Sequence, residues 1–347
     1  GILLLRQYGG GKVLVPPKAR NAGKNYYGIN TMDQEGLETL EALMHFLGDR
    51  YMNSNGKYGT IVNWIVGNEV NNYNDYNYMG KLSFNEYIDA YTRSFRVVSM
   101  ALRSVYSKAR VYISLDHLWN ILQPHGKCYT SKSTLDAFAK RLKQEGDINW
   151  NLAFHPYPSP LTDPNFWNDK VTNSDSTKQV TMKNLGYLTN YVSTHFRSDV
   201  RILLSEQGFT SVSYGTTNET LQAAAWAYAY YITEFNDKVD AFIMNRHVDH
   251  KQETSQGLYL GVWTNKKGNL EYADKKKQIW NVFKYIDSAG SQKVSQFALK
   301  SIGIKSWSSV IPGFNWKKFS SMGSYTAGKG TGFKTVTKPK NITNSVK

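Results

Sequence analysis

Two glutamates stand where an apolar run gives way to polar residues. Thr60-Ile61-Val62-Asn63-Trp64-Ile65-Val66 leads into Gly67-Asn68-Glu69, and Arg201-Ile202-Leu203-Leu204-Ser205 leads into Glu206-Gln207-Gly208-Phe209. A carboxylate at the end of a buried strand is half-desolvated. Burial penalises its charged form, which raises its pKa toward the range of a working acid or base. Two such groups facing each other are what cleavage of a glycosidic bond needs. One protonates the leaving oxygen, the other attacks the anomeric carbon, and water then releases the sugar. Taken singly, either glutamate is also explained as a strand-end residue bound to a helix cap or a lysine. The two together, each in this setting, favour the chemistry.

Weaker candidates follow other apolar runs. His155 and Tyr157 lie in Phe154-His155-Pro156-Tyr157-Pro158. His155 also reads as a histidine packed beside two prolines, and Tyr157 as a rim aromatic. Asp116, His117 and Trp119 follow the strand at 111–115, and Arg246, His247 and Asp249 follow the one at 239–244. Each group reads equally as the lining of a substrate subsite or as a salt-bridged loop. Metal and cofactor signals are weak. His247-Val248-Asp249-His250 is the one histidine cluster, and its spacing matches no strong zinc pattern. The single cysteine, Cys128, reads as a loop thiol and excludes both an internal disulfide and a site built on several thiolates. There is no Gly-x-Ser-x-Gly elbow, and Gly9-Gly10-Gly11-Lys12 lacks the phosphate-loop spacing. Neither a metal nor a cofactor is expected.

Positioning these groups falls to strands that alternate with helices. Strands are expected at 2–5, 60–66, 111–115, 151–154, 201–205 and 239–244. Helices are expected at 36–51, from Ser83 onward, and at 133–145, 180–196, 218–235 and 274–286. The helix after Ser83 carries the stripe Phe84, Tyr87, Ile88, Tyr91, Phe95, Val98 and Leu102. Short apolar strands alternating with amphipathic helices indicate parallel βαβ units. Six such units make either an open doubly wound sheet or part of a barrel, and periodicity alone does not choose. The ionisable residues collect at C-terminal strand ends, where an α/β barrel places its active site. That favours a (β/α)8 TIM barrel lacking its first two βα units in this chain. The expected organisation is a barrel over 1–290, starting from about its third strand, an extension packed on it over 291–322, and a flexible basic tail over 323–347. An open barrel exposes edge strands, so the isolated chain is expected to associate or be unstable unless a partner segment closes it.

Gly-Asn-Glu after one strand and Ser-Glu-Gln-Gly-Phe after a later one resemble glycoside hydrolase clan A. In that clan the Asn–Glu pair closes the fourth strand and the nucleophile glutamate closes the seventh. Glu69 follows the second visible strand and Glu206 the fifth, the same gap of three. From Tyr26 to about Phe314 the chain also looks like an uncharacterised bacterial family of clan-A-like proteins. The phrases that carry this likeness are Asn63-Trp64-Ile65-Val66-Gly67-Asn68-Glu69, Phe154-His155-Pro156-Tyr157-Pro158, Leu204-Ser205-Glu206-Gln207-Gly208-Phe209 and Asp240-Ala241-Phe242-Ile243-Met244. The resemblance implies Glu69 as acid/base, Glu206 as nucleophile, and Asn68 on the sugar 2-hydroxyl. It implies an aromatic after the sixth barrel strand, at His155 or Tyr157, that orients the nucleophile, and a sugar-stacking tryptophan at Trp263.

Composition bounds the partners. With 41% hydrophobic and 20% charged residues the chain is globular rather than disordered. No apolar run approaches the ~20 residues that span a bilayer, and the opening Gly1-Ile2-Leu3-Leu4-Leu5 is too short for a signal-peptide core. A net charge of +15 suggests attraction to anionic surfaces, such as acidic polysaccharide, cell wall or nucleic acid. The basic residues are dispersed, with Lys275-Lys276-Lys277 expected on a solvated helix, and they lack the interleaving of a nucleic-acid reader. The glycosidase reading makes the expected partner an oligo- or polysaccharide, and the usual polymeric substrates of such enzymes imply an extracellular or cell-surface location. A carbohydrate-binding barrel that does not cut its ligand is the alternative. An open-sheet hydrolase of another type lacks a nucleophile motif.

Overall fold

The computed structural model describes residues 1–8, 12–53, 55–266, 272–320 and 322. One parallel sheet of six strands forms its centre. The strands are β1 (Ile2–Leu3), β2 (Asn63–Val66), β3 (Arg110–Asp116), β4 (Asn151–His155), β5 (Ile202–Gln207) and β6 (Val239–Met244). Each pairs with the next in chain order, always parallel. A doubly wound sheet reverses its strand order at a switch point. This one never reverses, which is the winding of a barrel.

The sheet is also curled. β3 and β6 are three strand steps apart, a distance of ~14 Å in a flat sheet. Yet Arg110 Nη1 on β3 donates to Asp240 Oδ2 on β6 at 2.5 Å, and Arg201 Nε on β5 donates to Asp240 Oδ1 at 2.9 Å. Side chains alternate between the two faces of a strand. On the concave face Ile65, Tyr112, Ala153 and Leu203 form a small buried cluster with Ala241 against it, one residue from each of β2 to β6. Their neighbours Val66, Val111, Ile113, Leu152, Phe154 and Leu204 face outward into the main core beneath the helices. The fold is thus α/β and TIM-barrel-like.

The helices that cover the outer face are α1 (Gln34–Gly48), α2 (Phe84–Val105), α3 (Ser131–Gln144), α4 (Leu185–His195), α5 (Glu219–Glu234), α6 (Ile279–Tyr285) and α7 (Ser291–Ile302). In α2, Ser83 and Glu86 make a reciprocal capping box, which satisfies free backbone N–H groups of the first turn. Tyr87, Tyr91, Phe95, Val98 and Leu102 recur at three- and four-residue intervals and are buried against the sheet. Each contributes about 1.5–3 kcal/mol of burial. Tyr231 of α5 sits in an aromatic nest of Trp307, Phe314, Trp316 and Phe319, which ties the segment after α7 to the outer layer.

Several elements differ from the sequence-based expectation. α1 starts earlier, where the Asp33 carboxylate accepts from Gly36 N at 2.8 Å. It ends at Gly48, and a π-turn over Asp49–Asn53 follows. The expected helix at 180–196 begins at Leu185, after a 3-10 turn over Met182–Asn184. The helix expected over 274–286 is half wrong. Ala273–Lys276 is a strand paired antiparallel with Trp263–Asn265, and only Ile279–Tyr285 is helical. The reason lies in Lys277, which is drawn inside. Its Nζ donates to Asp249 Oδ1 at 2.7 Å, to Ser211 Oγ at 3.0 Å and to the Tyr259 carbonyl at 3.0 Å. The three lysines are therefore not one solvated helix face. α7 was not foreseen. The tail expected at 323–347 lies outside the described residues. Among the described residues no helix is long and apolar enough to cross a membrane.

Candidate active site

The C-terminal ends of β2, β4 and β5 converge. After β2 the chain turns at Gly67, whose φ is 79°. A Cβ there would come within 2.7 Å of Val70 Cγ1. Glu69 itself has φ 40°, a left-handed conformation that costs a non-glycine residue about 1–3 kcal/mol and persists only when its surroundings enforce it. The enforcing contacts are visible. Ser114 Oγ accepts from Glu69 N at 3.1 Å, and the Ser114 carbonyl accepts from Val70 N at 2.9 Å. From α2, the Tyr91 hydroxyl donates to the Val66 carbonyl at 2.9 Å and the Tyr87 hydroxyl to the Val70 carbonyl at 2.6 Å.

β5 uses a different device. Leu204 pairs with Phe242 and Gln207 with Met244, so β5 spends one residue more than β6 over the same stretch. Strict alternation would put Ser205 and Glu206 on opposite faces. The bulge re-aims the strand end, and both reach the mouth. Ser205 Oγ lies 3.0 Å from His155 Nε2, and Glu206 Oε1 accepts from the Tyr157 hydroxyl at 2.9 Å. The other ring nitrogen, His155 Nδ1, lies 2.7 Å from Glu69 Oε1. β2 and β5 are three strand steps apart. Even so, a carboxylate oxygen of Glu69, one of Glu206 and a ring nitrogen of His155 all lie within 4.8 Å of one another.

Burial pushes the Glu69 pKa up, the His155 hydrogen bond and charge pull it back, and nearby Asp116 and Glu206 push it up again; the net direction is upward. For His155 burial acts downward, but the bond to Glu69 and the charges of Glu69, Glu206 and Asp116 prevail and raise it. Tyr157 lies well above its ordinary value because of burial and the Glu206 charge, so it stays a protonated donor. Tyr76 is raised, by burial first and then by the charges of Glu69 and Glu206.

The remaining expected residues divide. Asn68 is half-buried next to Glu69, and its side chain makes no hydrogen bond among the described residues. His155, expected to touch substrate, is 1% exposed and turned onto Glu69 and Ser205. Asp116 is likewise closed off. Its oxygens accept from Leu118 N, Ser131 Oγ and Gln123 Nε2, so it braces the loop after β3. Trp119 is core, edge-on to Phe154 and Tyr191. His117 is half-buried, and burial, opposed by Asp116, pushes its pKa down. Arg246 is held by Glu253, with Nε 2.7 Å from Oε2 and Nη2 2.5 Å from Oε1. Trp263 is half-buried, edge-on to Trp280 at 6.4 Å, with Lys276 Nζ over its ring at 5.3 Å.

Sequence reading missed Ser114 and Ser205. Each follows a concave-face residue by two positions, Ser114 as a lone polar residue between Ile113 and Leu115 and Ser205 as the first polar residue after Ile202-Leu203-Leu204, and that is the signal that could have marked them. Glu69, His155 and Glu206 form, among the described residues, the one set of three whose ligand atoms converge enough to hold a metal ion. The 247–250 histidine cluster does not. In the geometry described, both His155 nitrogens are engaged in hydrogen bonds, so ligation would have to displace Glu69 or Ser205 from the ring.

A curled parallel α/β sheet whose C-terminal mouth holds two carboxylates, Glu69 bonded to His155 and Glu206 to Tyr157, defines a TIM-barrel-like class. The chain belongs to the family described as "Family of unknown function (DUF5722)", which it matches over residues 1–310. No protein with a curated description matches it in sequence. Similar solved structures include a glucosidase from Croceicoccus marinus, at 15% identity and TM-score 0.46, over 77% of this chain and 46% of that one. A family 39 glycoside hydrolase from Bacteroides cellulosilyticus WH2 gives 15% and 0.46, over 78% and 46%. A monomeric β-xylosidase from Caulobacter crescentus CB15 gives 15% and 0.43, over 72% and 46%. The chain spans about half the length of these three proteins. At such scores the fold class rests on strand order and curl, not on the likeness.

Proposed function

We propose that this protein is a retaining glycoside hydrolase acting on an oligo- or polysaccharide, with Glu69 as acid/base and Glu206 as nucleophile. The observation that carries the reading is the approach of the two carboxylates, one oxygen of each lying within 4.8 Å of the other across three strand steps. Retaining pairs stand ~5–5.5 Å apart, whereas inverting pairs stand ~6.5–9.5 Å apart to admit a water. The environments support the division of labour. Glu69 is the carboxyl whose proton burial retains, as an acid requires. Glu206 is oriented by the Tyr157 hydroxyl. In the first step Glu206 attacks the anomeric carbon while Glu69 gives its proton to the leaving oxygen. In the second, Glu69 takes a proton from water as the glycosyl–Glu206 ester is hydrolysed. His155, bonded to Glu69, keeps the proton on call across the cycle. Asn68 is free to meet the sugar 2-hydroxyl, a bond that strengthens in the transition state.

Within this reading β1 to β6 take the places of the third to eighth strands of a (β/α)8 barrel. Glu69 then closes the fourth and Glu206 the seventh. With a polymeric substrate of this kind, the location we propose is extracellular or at the cell surface. Release of chromophore from a panel of aryl glycosides, by the native chain and by Glu206→Gln, tests the proposal. It predicts turnover of at least one glycoside and its loss in the variant. A panel that stays silent, or a variant as active as the parent, counts against it and leaves a barrel that binds carbohydrate without cutting it.

A further inference from the structure

Resting on that reading, we propose that the mouth beside Glu69 and Glu206 takes a sugar bearing a negative charge, a carboxylate or a sulfate, and that Arg6 binds it. Three short segments, around Leu5, Tyr27 and Tyr78, pair with one another. Tyr27 N donates to the Leu5 carbonyl at 2.9 Å, and Gly28 N to the Tyr78 carbonyl at 3.0 Å, which makes a small ribbon. Alternation gives this ribbon two faces. Leu5, Tyr27 and Tyr78 pack with Val15 and Ala19 on one side. Arg6 and Tyr26 fall on the other. There the Arg6 guanidinium lies 5.5 Å from the Tyr26 ring centroid and 5.3 Å from that of Tyr8. Tyr26 in turn packs 6.1 Å from Tyr76, which the turn after Glu69 carries: Asn72 N donates to the Glu69 carbonyl at 2.7 Å and Tyr76 N to the Asn72 carbonyl at 3.1 Å. A path of neighbouring groups therefore runs from the Glu69 turn across two half-buried rings to an exposed guanidinium.

The chemistry of this surface selects a ligand. Tyrosine rings offer an apolar face to the C–H face of a pyranose. A guanidinium is a planar fork that matches the paired oxygens of a carboxylate or sulfate. Glu69, Glu206 and Asp116 would repel an anion, so an acidic sugar needs a cation whose charge is not already spent. Arg246 is spent on Glu253 and Lys277 on Asp249. Arg6 has no carboxylate within ion-pair distance among the described residues. The overall charge of +15 draws polyanions toward the molecule, and Arg6 gives that attraction a specific end point.

The test measures binding by titration calorimetry to Glu206→Gln protein, so that no turnover intervenes. The probes are an oligouronate, a sulfated oligosaccharide, and the carboxyl-reduced neutral form of the oligouronate. The same titrations are run with Arg6→Gln, Arg6→Lys or Lys140→Gln added, Lys140 being an exposed residue of the outer helix α3. The proposal expects an acidic probe to bind about tenfold or more tightly than the neutral one, as one charge-assisted fork provides. Arg6→Gln should abolish that preference at unchanged Tm, Arg6→Lys should keep part of it, and Lys140→Gln should keep all of it. Which acidic probe loses its advantage identifies the charged group. A preference that survives Arg6→Gln as fully as Lys140→Gln assigns it to the general field and overturns the proposal, as does the absence of any preference. The catalytic reading fails separately. Arg6-dependent binding without turnover of any glycoside keeps the subsite and removes the hydrolase, whereas turnover with no charge preference does the reverse.

Discussion

At the scale of single residues, the account rests on two short hydrogen bonds, His155 to Glu69 and Tyr157 to Glu206. Tyr157→Phe removes one donor to a carboxylate and little volume. A bond to a charged group is worth about 1.5–3 kcal/mol, so kcat should fall roughly 10- to 100-fold with Tm unchanged. An equal loss of Tm would make Tyr157 structural. His155 acts on Glu69 in a direction that can be worked out. Its hydrogen bond and charge lower the Glu69 pKa, while burial raises it. Activity needs the protonated acid, so kcat/KM should decline as pH rises through the Glu69 pKa. His155→Gln removes the charge that lowers that pKa, so this alkaline limb should move to higher pH. A limb that stays put, or moves down, would show that another group sets it.

At the scale of elements, α2 matters more for chemistry than its distance in sequence suggests. Its tyrosines hold the carbonyls of Val66 and Val70, on either side of Glu69. Tyr91→Phe leaves a buried carbonyl without its donor and should cost about 1–3 kcal/mol in urea unfolding. It should also lower kcat, because the strained Glu69 turn loses a clamp. Ser83→Ala, which removes only the cap, should cost about 1 kcal/mol with kcat unchanged. This contrast also shows what the sequence could and could not disclose. The α2 stripe and its Ser83 start were legible, because burial and capping write a local pattern. So were the two strand-end glutamates. An aromatic partner for Glu206, at His155 or Tyr157, was implied only by the family resemblance, and the bond from His155 to Glu69 was not legible at all. His155 and Ser205 meet only because β4 and β5 pair in a curled sheet, and Glu206 faces the mouth only through a bulge that no local pattern marks. The helix expected across Lys275 to Lys277 failed for the same reason. A buried ion pair with Asp249 outweighs helix propensity there.

At the scale of the whole molecule, the curl brings distant strands together at both ends of the sheet. Asp240 joins Arg110 and Arg201 at the end opposite the glutamates. These groups are about a quarter to a third exposed, so solvent screens them. Asp240→Asn should cost on the order of 1 kcal/mol, or about 2 °C in Tm for a chain of this size. Activity should change little, since residues at the N-terminal face of such a sheet serve stability rather than chemistry. A collapse of kcat in Asp240→Asn without a shift in Tm would mean that the curl is not independent of the mouth.

The claim that Glu206 is the attacking group has one most direct test. The native chain is incubated with 2-deoxy-2-fluoro glycosyl fluorides of the sugars it cleaves, then digested, and its peptides are weighed. The account predicts that the peptide containing Glu206 gains the mass of one fluoroglycosyl group, and that Glu206→Gln gains none. A label on another residue, or turnover of these reagents with no covalent species at any time, would contradict it.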